Sequence, residues 1–177
     1  MSFILVDHSR LAFAKVSSFF DDEQPAIRIH PSAPIDVSAN IRSFVRIGGS
    51  GFGSLVNENG IPIRISHFGY VKIGKDVEIG LTVVIARDTF DETIIGDVAK
   101  IVDHVFIAHS VEIGAPTLII AGAKISDCVV IGVDCWNSPL STGMDKISIA
   151  DRSTVGLEAI VIENVPQEPF STAMQLE

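Results

Sequence analysis

The sequence has few of the residues on which several classes of protein depend. It has two cysteines among 177 residues, which excludes a disulfide-stapled scaffold and favours a reducing, cytoplasmic setting. Its 13 lysines and arginines are scattered, and a net charge of −9 argues against a nucleic-acid partner. No apolar run reaches the ~18 residues that a membrane span needs. Met1–Val6 is too short, and lacks the basic flank, for a signal peptide.

What the sequence has instead is a six-residue repeat of isoleucine. Seven isoleucines follow one another at intervals of six: Ile95, Ile101, Ile107, Ile113, Ile119, Ile125 and Ile131. This interval fits neither the 3.6-residue period of a helix nor the two-residue period of an open sheet. It is typical of an all-β protein, a parallel β-helix of hexapeptides, in which the chain turns a corner every six residues and returns above itself every eighteen.

A second row of residues is also predicted to face inward. The fifth residue of each hexad is small or β-branched: Ala99, Val105, Val111, Thr117, Ala123, Val129 and Cys135. The second residue is often Gly or Ala, which we attribute to crowding where the backbone bends. The repeat is interrupted at Asn137 and Gly143, where we expect a distorted coil.

The repeat predicts one domain with two flanking segments. Residues 29–165 are expected to form the β-helix, with loops at 49–66 and 86–94. Residues 1–28 lack the repeat and are expected to cap the first coil, and residues 166–177 to form a tail. The long Gly- and Asn-rich loop is expected to be functional, although no Gly-Lys-Ser/Thr follows its glycines, so it is not a phosphate-binding P-loop.

His109 is the strongest candidate for chemistry. It is third in its hexad, so it faces outward at a corner, where a histidine can act as a general base near neutral pH. Asp127 lies eighteen residues later, on the next coil, and its backbone N–H is predicted to hold an oxyanion. Lys146, one coil further, is a candidate phosphate ligand. His104 leaves a zinc site open, because a His-x4-His pair can hold zinc together with a neighbouring subunit.

Three segments of the chain are GSGFGSLVNENGIPIRISHFGYVKIGKDVEIG, IARDTFDETIIG and VFIAHSVEIG. In that order they resemble a known family, the UDP-3-O-acylglucosamine N-acyltransferases of lipid A biosynthesis, and the resemblance covers roughly residues 47–165. It implies a homotrimer of left-handed β-helices with active sites between neighbouring prisms. It also implies His109 as catalytic base, the Asp127 N–H as oxyanion donor, and substrate contacts from Phe52, Gly53, Arg87, Asp91 and Lys146.

The reaction that this resemblance implies needs no metal or cofactor. An acyl group would pass from acyl-CoA or acyl carrier protein to the amino group of a sugar nucleotide. The family also has an N-terminal uridine-binding domain and C-terminal helices, and its second active-site histidine stands at Lys146 here. We therefore expect a relative that is shortened at both ends.

Three other functions stay open on the sequence. One is a sugar-nucleotide N-acetyltransferase of surface polysaccharide synthesis. Another is a zinc hydratase like the γ-class carbonic anhydrases, with His104 and His109 as ligands, although their positions in the hexad are shifted by one from that class. The last is a non-catalytic trimeric prism that binds a sugar or a partner protein.

Overall fold

The computed structural model describes residues 6, 8–17, 19, 29–167 and 172–173. Within these residues the chain forms one helix, α1 (Ser9–Ser17), and twenty strands, most of them two residues long. The strands are β1 (Asn40–Ile41), β2 (Arg46–Ser50), β3 (Ser54–Val56), β4 (Pro62–Arg64), β5 (Tyr70–Ile73), β6 (Glu78–Ile79), β7 (Val84–Arg87), β8 (Glu92–Ile95), β9 (Lys100–Ile101), β10 (Phe106–Ile107), β11 (Glu112–Ile113), β12 (Leu118–Ile119), β13 (Lys124–Ile125), β14 (Val130–Ile131), β15 (Trp136–Asn137), β16 (Thr142–Gly143), β17 (Ser148–Ile149), β18 (Thr154–Val155), β19 (Ile160–Val161) and β20 (Thr172–Ala173).

From β5 to β19, strands that lie three apart in the chain pair in parallel, so each coil of three strands stacks on the next. Ile107 of β10, for example, lies opposite Ile85 of β7 and Ile125 of β13. The result is three parallel sheets, in the orders β1-β6-β9-β12-β15-β18-β20, β19-β16-β13-β10-β7-β2 and β17-β14-β11-β8-β5. The parallel β-helix that the six-residue repeat predicts is confirmed.

The core of the prism is the predicted pair of inward rows. All seven isoleucines of the uninterrupted run are at most 2% exposed. The small row packs beside them, with Ala99, Val111 and Thr117 fully buried. Cys135 is buried and unpaired, as its place in the small row predicts. The three sheets face one another around a common interior, so the apolar faces that the repeat creates are buried between them.

The corners of the prism have a left-handed backbone at the fourth residue of the hexad. This conformation recurs at corner after corner, as at His104 (φ 62°), Ser110 (φ 59°) and Lys146 (φ 62°). The glycines at the second position relieve crowding, as expected: a Cβ on Gly114 would lie 2.6 Å from the carbonyl carbon of Gly132. The crowding comes from the backbone of the next coil, so these glycines permit close stacking of coils.

The coil that contains Asn137 and Gly143 keeps its register, so the expected distortion is absent from it. Asn137 lies opposite Ile119 and Val155, and Gly143 lies opposite Ile125. The missing side chain at Gly143 is compensated by Ile147, a large residue in the small row, whose Cδ1 lies 3.7 Å from the place of a Gly143 Cβ. Ile147 thus fills the space inside this coil, and the prism continues although Gly143 lacks the side chain that the repeat provides elsewhere.

The two loops are shorter than predicted because strands extend into them. Strand β2 continues to Ser50, and the excursion that follows contains the antiparallel hairpin of β3 and β4. Strands β7 and β8 include residues 86–87 and 92–94, so the second loop is only Asp88–Asp91. Both excursions leave the prism next to the corner that carries His109.

The flanking segments also differ from expectation. Helix α1 packs on the β3–β4 hairpin, with an ion pair of 2.9 Å between Lys15 Nζ and Glu58 Oε1 in the hairpin turn. Phe13 of the helix also contacts Phe68, which follows the hairpin, and Phe90 of the second loop. The predicted cap over the first coil falls largely on residues outside the described part. In the expected tail, β20 pairs in parallel with β18. No helix among the described residues has the length and apolar character needed to cross a membrane.

Candidate active site

His109 lies directly after β10, where the chain turns from one sheet to the next. Its side chain points away from the core, as the hexad predicts, but is only 16% exposed. Gly51 explains this burial: a Cβ on Gly51 would lie 2.8 Å from His109 Cδ2, so the excursion lies directly against the imidazole. The corner histidine is therefore held under a loop rather than free in solvent.

A hydrogen-bonded chain fixes the tautomer of His109. The Ser110 hydroxyl donates to Asp88 Oδ1 at 2.5 Å, so its oxygen accepts from His109 Nδ1 at 3.1 Å. The Ser110 backbone N–H also donates to Thr93 Oγ1 at 3.0 Å, which holds this left-handed corner in place. A neutral His109 consequently carries its proton on Nδ1 and presents the lone pair on Nε2.

Asp127 contacts this Nε2 atom. Its Oδ2 lies 3.1 Å from His109 Nε2, and its side chain is 41% exposed. The sequence predicts that the two residues share a corner, but assigns a role only to the Asp127 backbone. Among the described residues that N–H donates to no acceptor, so it is available for the predicted oxyanion role. The carboxylate contact is an additional feature that the sequence analysis missed.

The environment raises the pKa of the Asp127 carboxyl above its ordinary value. Burial is the main cause and the charge of Asp145 adds to it, whereas His109 and Lys146 oppose the shift. With the lone pair of Nε2 facing a carboxylate oxygen at 3.1 Å, the pair is stabilised when one proton lies between the two atoms. The corner is thus arranged to accept and hold a proton.

His67 is a further residue of the site, and the sequence analysis did not include it. It is 1% exposed, and its ring centroid lies 4.9 Å from that of His109, with the planes inclined at 60°. Its Nδ1 lies 2.9 Å from the Ile65 carbonyl and therefore carries the proton. Its Nε2 is buried without a hydrogen-bond partner among the described residues. A Cβ on Gly51 would lie 2.8 Å from that atom too.

The pKa of His67 is lowered from 6.5 to about 4, mainly by burial and secondly by the neighbouring His109. His67 is therefore neutral at pH 7 and contributes no net charge beside His109. The position of His67 in the repeat could have identified it as a candidate. It stands six residues before Ile73, where the repeat places an isoleucine. A polar residue in an inward row requires a reason other than packing.

The predicted substrate-binding residues are divided between surface and interior. Phe52 is 90% exposed, with the Arg64 guanidinium 5.6 Å from its ring centroid. Asp91 and Lys146 are exposed as well. Gly53 lies at the base of the hairpin, directly before β3, where its carbonyl accepts a hydrogen bond of 2.8 Å from the Ile65 N–H.

Arg87, by contrast, is only 3% exposed. Its guanidinium reaches His30 Nε2 at 2.8 Å and Ser50 Oγ at 3.3 Å. These contacts tie the end of β7 to the start of the excursion. In the single chain, Arg87 therefore positions the loop that lies against His109.

His104 and His109 lie at opposite ends of β10, so the zinc pair that the sequence leaves open is not brought together in one chain. The His104 ring hydrogen-bonds Thr82 on the preceding coil. Within the described residues no group of three or more His, Cys, Asp or Glu side chains has the arrangement of a metal site.

Comparison with known proteins supports the resemblance seen in the sequence. The chain is 38% identical over 155 residues to the UDP-3-O-acylglucosamine N-acyltransferase of Pseudomonas aeruginosa. The aligned residues make up 85% of this chain and 43% of that protein. It is 31% identical over 144 residues to the enzyme of the same name from Bordetella pertussis, covering 80% of this chain and 40% of that one. The chain thus spans about two fifths of the length of the curated relatives it matches. No family model matches it.

Solved structures support the fold. LpxA from Acinetobacter baumannii superposes with a TM-score of 0.57 at 19% identity, over 82% of this chain and 71% of that one. The UDP-N-acetylglucosamine acyltransferase of Francisella novicida gives the same TM-score at 17% identity, over 82% of this chain and 66% of that one. The predicted left-handed hexapeptide-repeat β-helix is confirmed, and the resemblance to UDP-3-O-acylglucosamine N-acyltransferases is confirmed over the prism.

Proposed function

We propose that this protein is an N-acyltransferase that moves an acyl group from a thioester to the amino group of a nucleotide-linked amino sugar, as the names of its relatives indicate. The observation that carries the proposal is His109. Its tautomer is fixed through Ser110 and Asp88. Its basic Nε2 faces the side chain of Asp127, which is partly exposed to solvent. A positioned base of this kind is what attack by an amine on a thioester needs.

In the proposed reaction these groups act in the following order. The acceptor nitrogen attacks the thioester carbonyl, and a C–N bond forms while a proton passes to His109 Nε2. The carbonyl oxygen becomes an oxyanion, which the free Asp127 N–H is placed to receive. When the C–S bond breaks, the thiolate takes the proton from His109 and leaves as a thiol. The resulting amide and thiol contain all the atoms of the reactants.

The acyl donor is acyl-CoA or acyl carrier protein, and the acceptor is a sugar nucleotide. We place Phe52, Gly53, Asp91 and Lys146 at the substrate and Arg87 behind the loop. The protein is expected to work as a homotrimer, because the His109 corner is convex in one chain and a neighbouring prism would complete a concave site.

A panel assay tests the proposal. Thiol release is measured with acyl-CoA and acyl-carrier-protein donors against a set of amino-sugar nucleotides, using wild type and His109→Ala. We expect at least a ~100-fold loss of kcat in the variant, the scale of a positioned general base. His104→Ala is the matched control, because it removes a histidine at the other end of the same strand.

Two results would count against the acyltransferase. Absence of thiol release from wild type with every donor and acceptor would leave the non-catalytic prism as the better description. Equal losses in His109→Ala and His104→Ala, together with stoichiometric zinc in purified wild type, would support the hydratase instead.

A further inference from the structure

We infer that the Asp127 side chain selects an amine as the acceptor, by binding the acceptor as an ammonium ion beside His109 Nε2. This inference rests on the proposed acyl transfer and goes beyond it, since it gives the carboxylate a function of its own besides that of the backbone N–H. The observation behind it is the distance of 3.1 Å between Asp127 Oδ2 and the nitrogen that acts as base.

The two groups form a site for a hydrogen-bond donor. The Ser110–Asp88 chain holds the proton of a neutral His109 on Nδ1, so Nε2 and Asp127 Oδ2 are both acceptors. Two acceptors in contact repel unless a proton lies between them or a donor enters. An ammonium group carries several N–H donors and a positive charge, so it can donate to both at once. A hydroxyl has one proton and can satisfy only one of them.

The surrounding charges also favour a cation. Asp145 acts on Asp127 as a second negative charge, and Lys146 is the opposing positive charge on the same coil. On the other side of His109, Asp88 is linked through Ser110, and His67 lies against the ring but is neutral near pH 7. Carboxylates therefore lie at both ends of the imidazole, Asp127 beside the acceptor nitrogen and Asp88 behind Ser110, and the neutral His67 does not repel the ammonium ion.

The arrangement also accounts for the protons that an ammonium must lose. It gives up one before attack, to free its lone pair, and a second as the C–N bond forms. Asp127 takes the first proton and releases it to solvent, while His109 takes the second and passes it to the departing thiolate. The raised pKa of the Asp127 carboxyl is consistent with a transient proton on this group.

Asp127→Asn tests the carboxylate separately from the backbone, because the amide side chain leaves the N–H in place. The probes are UDP-3-O-acylglucosamine and its analogue with a hydroxyl in place of the amine. At pH 7 we expect kcat/KM for the amine to fall ~10–100-fold, the range for loss of a charge-assisted hydrogen bond. The loss should shrink as the pH rises and the free amine loses its charge. Asp127→Glu should restore part of the activity, and Asp134→Asn, which removes an equal charge at another corner, should match wild type.

A binding measurement separates this inference from the proposed function. Calorimetric titration of both sugars, without a donor, should show that wild type prefers the amine and that Asp127→Asn binds the two alike, whether or not transfer occurs. If wild type binds both sugars equally, or neither, the inference is wrong. If Asp127→Asn transfers to the amine as fast as wild type at pH 7, the carboxylate has no such role, and the proposed acyltransferase stands with the backbone N–H alone.

Discussion

Acidification should destabilise this protein through His67, by an amount that the structure allows to be worked out. The ring is 1% exposed, and burial, followed by the neighbouring His109, lowers its pKa from 6.5 to about 4. In the unfolded chain His67 titrates near its ordinary value. Between these two values the unfolded state binds the proton and the folded state does not, so stability falls as the pH decreases.

The difference between the ordinary pKa of 6.5 and the folded-state pKa of about 4 corresponds to a maximum of about 3 kcal/mol. The contribution is fully present above pH 6.5 and is lost by the time the pH reaches about 4. Between pH 7.5 and pH 5, one histidine with these two pKa values loses about 2 kcal/mol of unfolding free energy. This is a large part of the 5–15 kcal/mol by which domains are typically stable.

Urea unfolding at pH 7.5 and pH 5 measures this loss, with His67→Gln as the matched variant. Glutamine is polar and neutral but cannot titrate, so subtracting the two pH dependences removes the contribution of the carboxylates. Protein concentration is held constant, because subunit association would otherwise shift the midpoint. If wild type and His67→Gln lose the same free energy on acidification, His67 is not buried as a neutral ring.

Three further outcomes are expected. Gly51→Ala should keep the fold and lose transfer activity by more than about tenfold, because its Cβ would meet both imidazoles at 2.8 Å, whereas Gly49→Ala, with nothing within 4 Å, should behave as wild type. Ile113→Asp should abolish folding, since an unpaired carboxylate at a 2%-exposed position costs several kcal/mol; soluble protein with an unchanged Tm would show that the assigned register is wrong. Light scattering at micromolar concentration should give a trimer, and a monomer would remove the basis for an active site between prisms.

The prism could be predicted from the sequence because one physical constraint acts at every sixth residue. Most inward positions are apolar and of a suitable volume, so the pattern repeats visibly. The compensation of Gly143 by Ile147 could not be predicted in the same way. It depends on two side chains in different rows meeting inside the coil, and the linear spacing does not show which neighbour fills a gap.

The site could be predicted only where the repeat places it. His109 and Asp127 share a corner because eighteen residues make one coil, so their proximity follows from the period. His67 and Gly51 belong to an excursion whose path is set by its own hairpin and by contacts such as that of the buried Arg87 with Ser50, where the excursion starts. The repeat does not determine this path, so the contact between the two histidines appears only in three dimensions.

The excursion also determines how His109 can work. A second imidazole 4.9 Å away would, if charged, oppose protonation of His109. Burial prevents this by keeping His67 neutral, and the burial depends on Gly51, whose lack of a side chain lets the backbone lie against both rings. The glycine, the neutral histidine and the carboxylates of Asp88 and Asp127 therefore act together, since together they favour a positive charge on His109 in the proposed transfer.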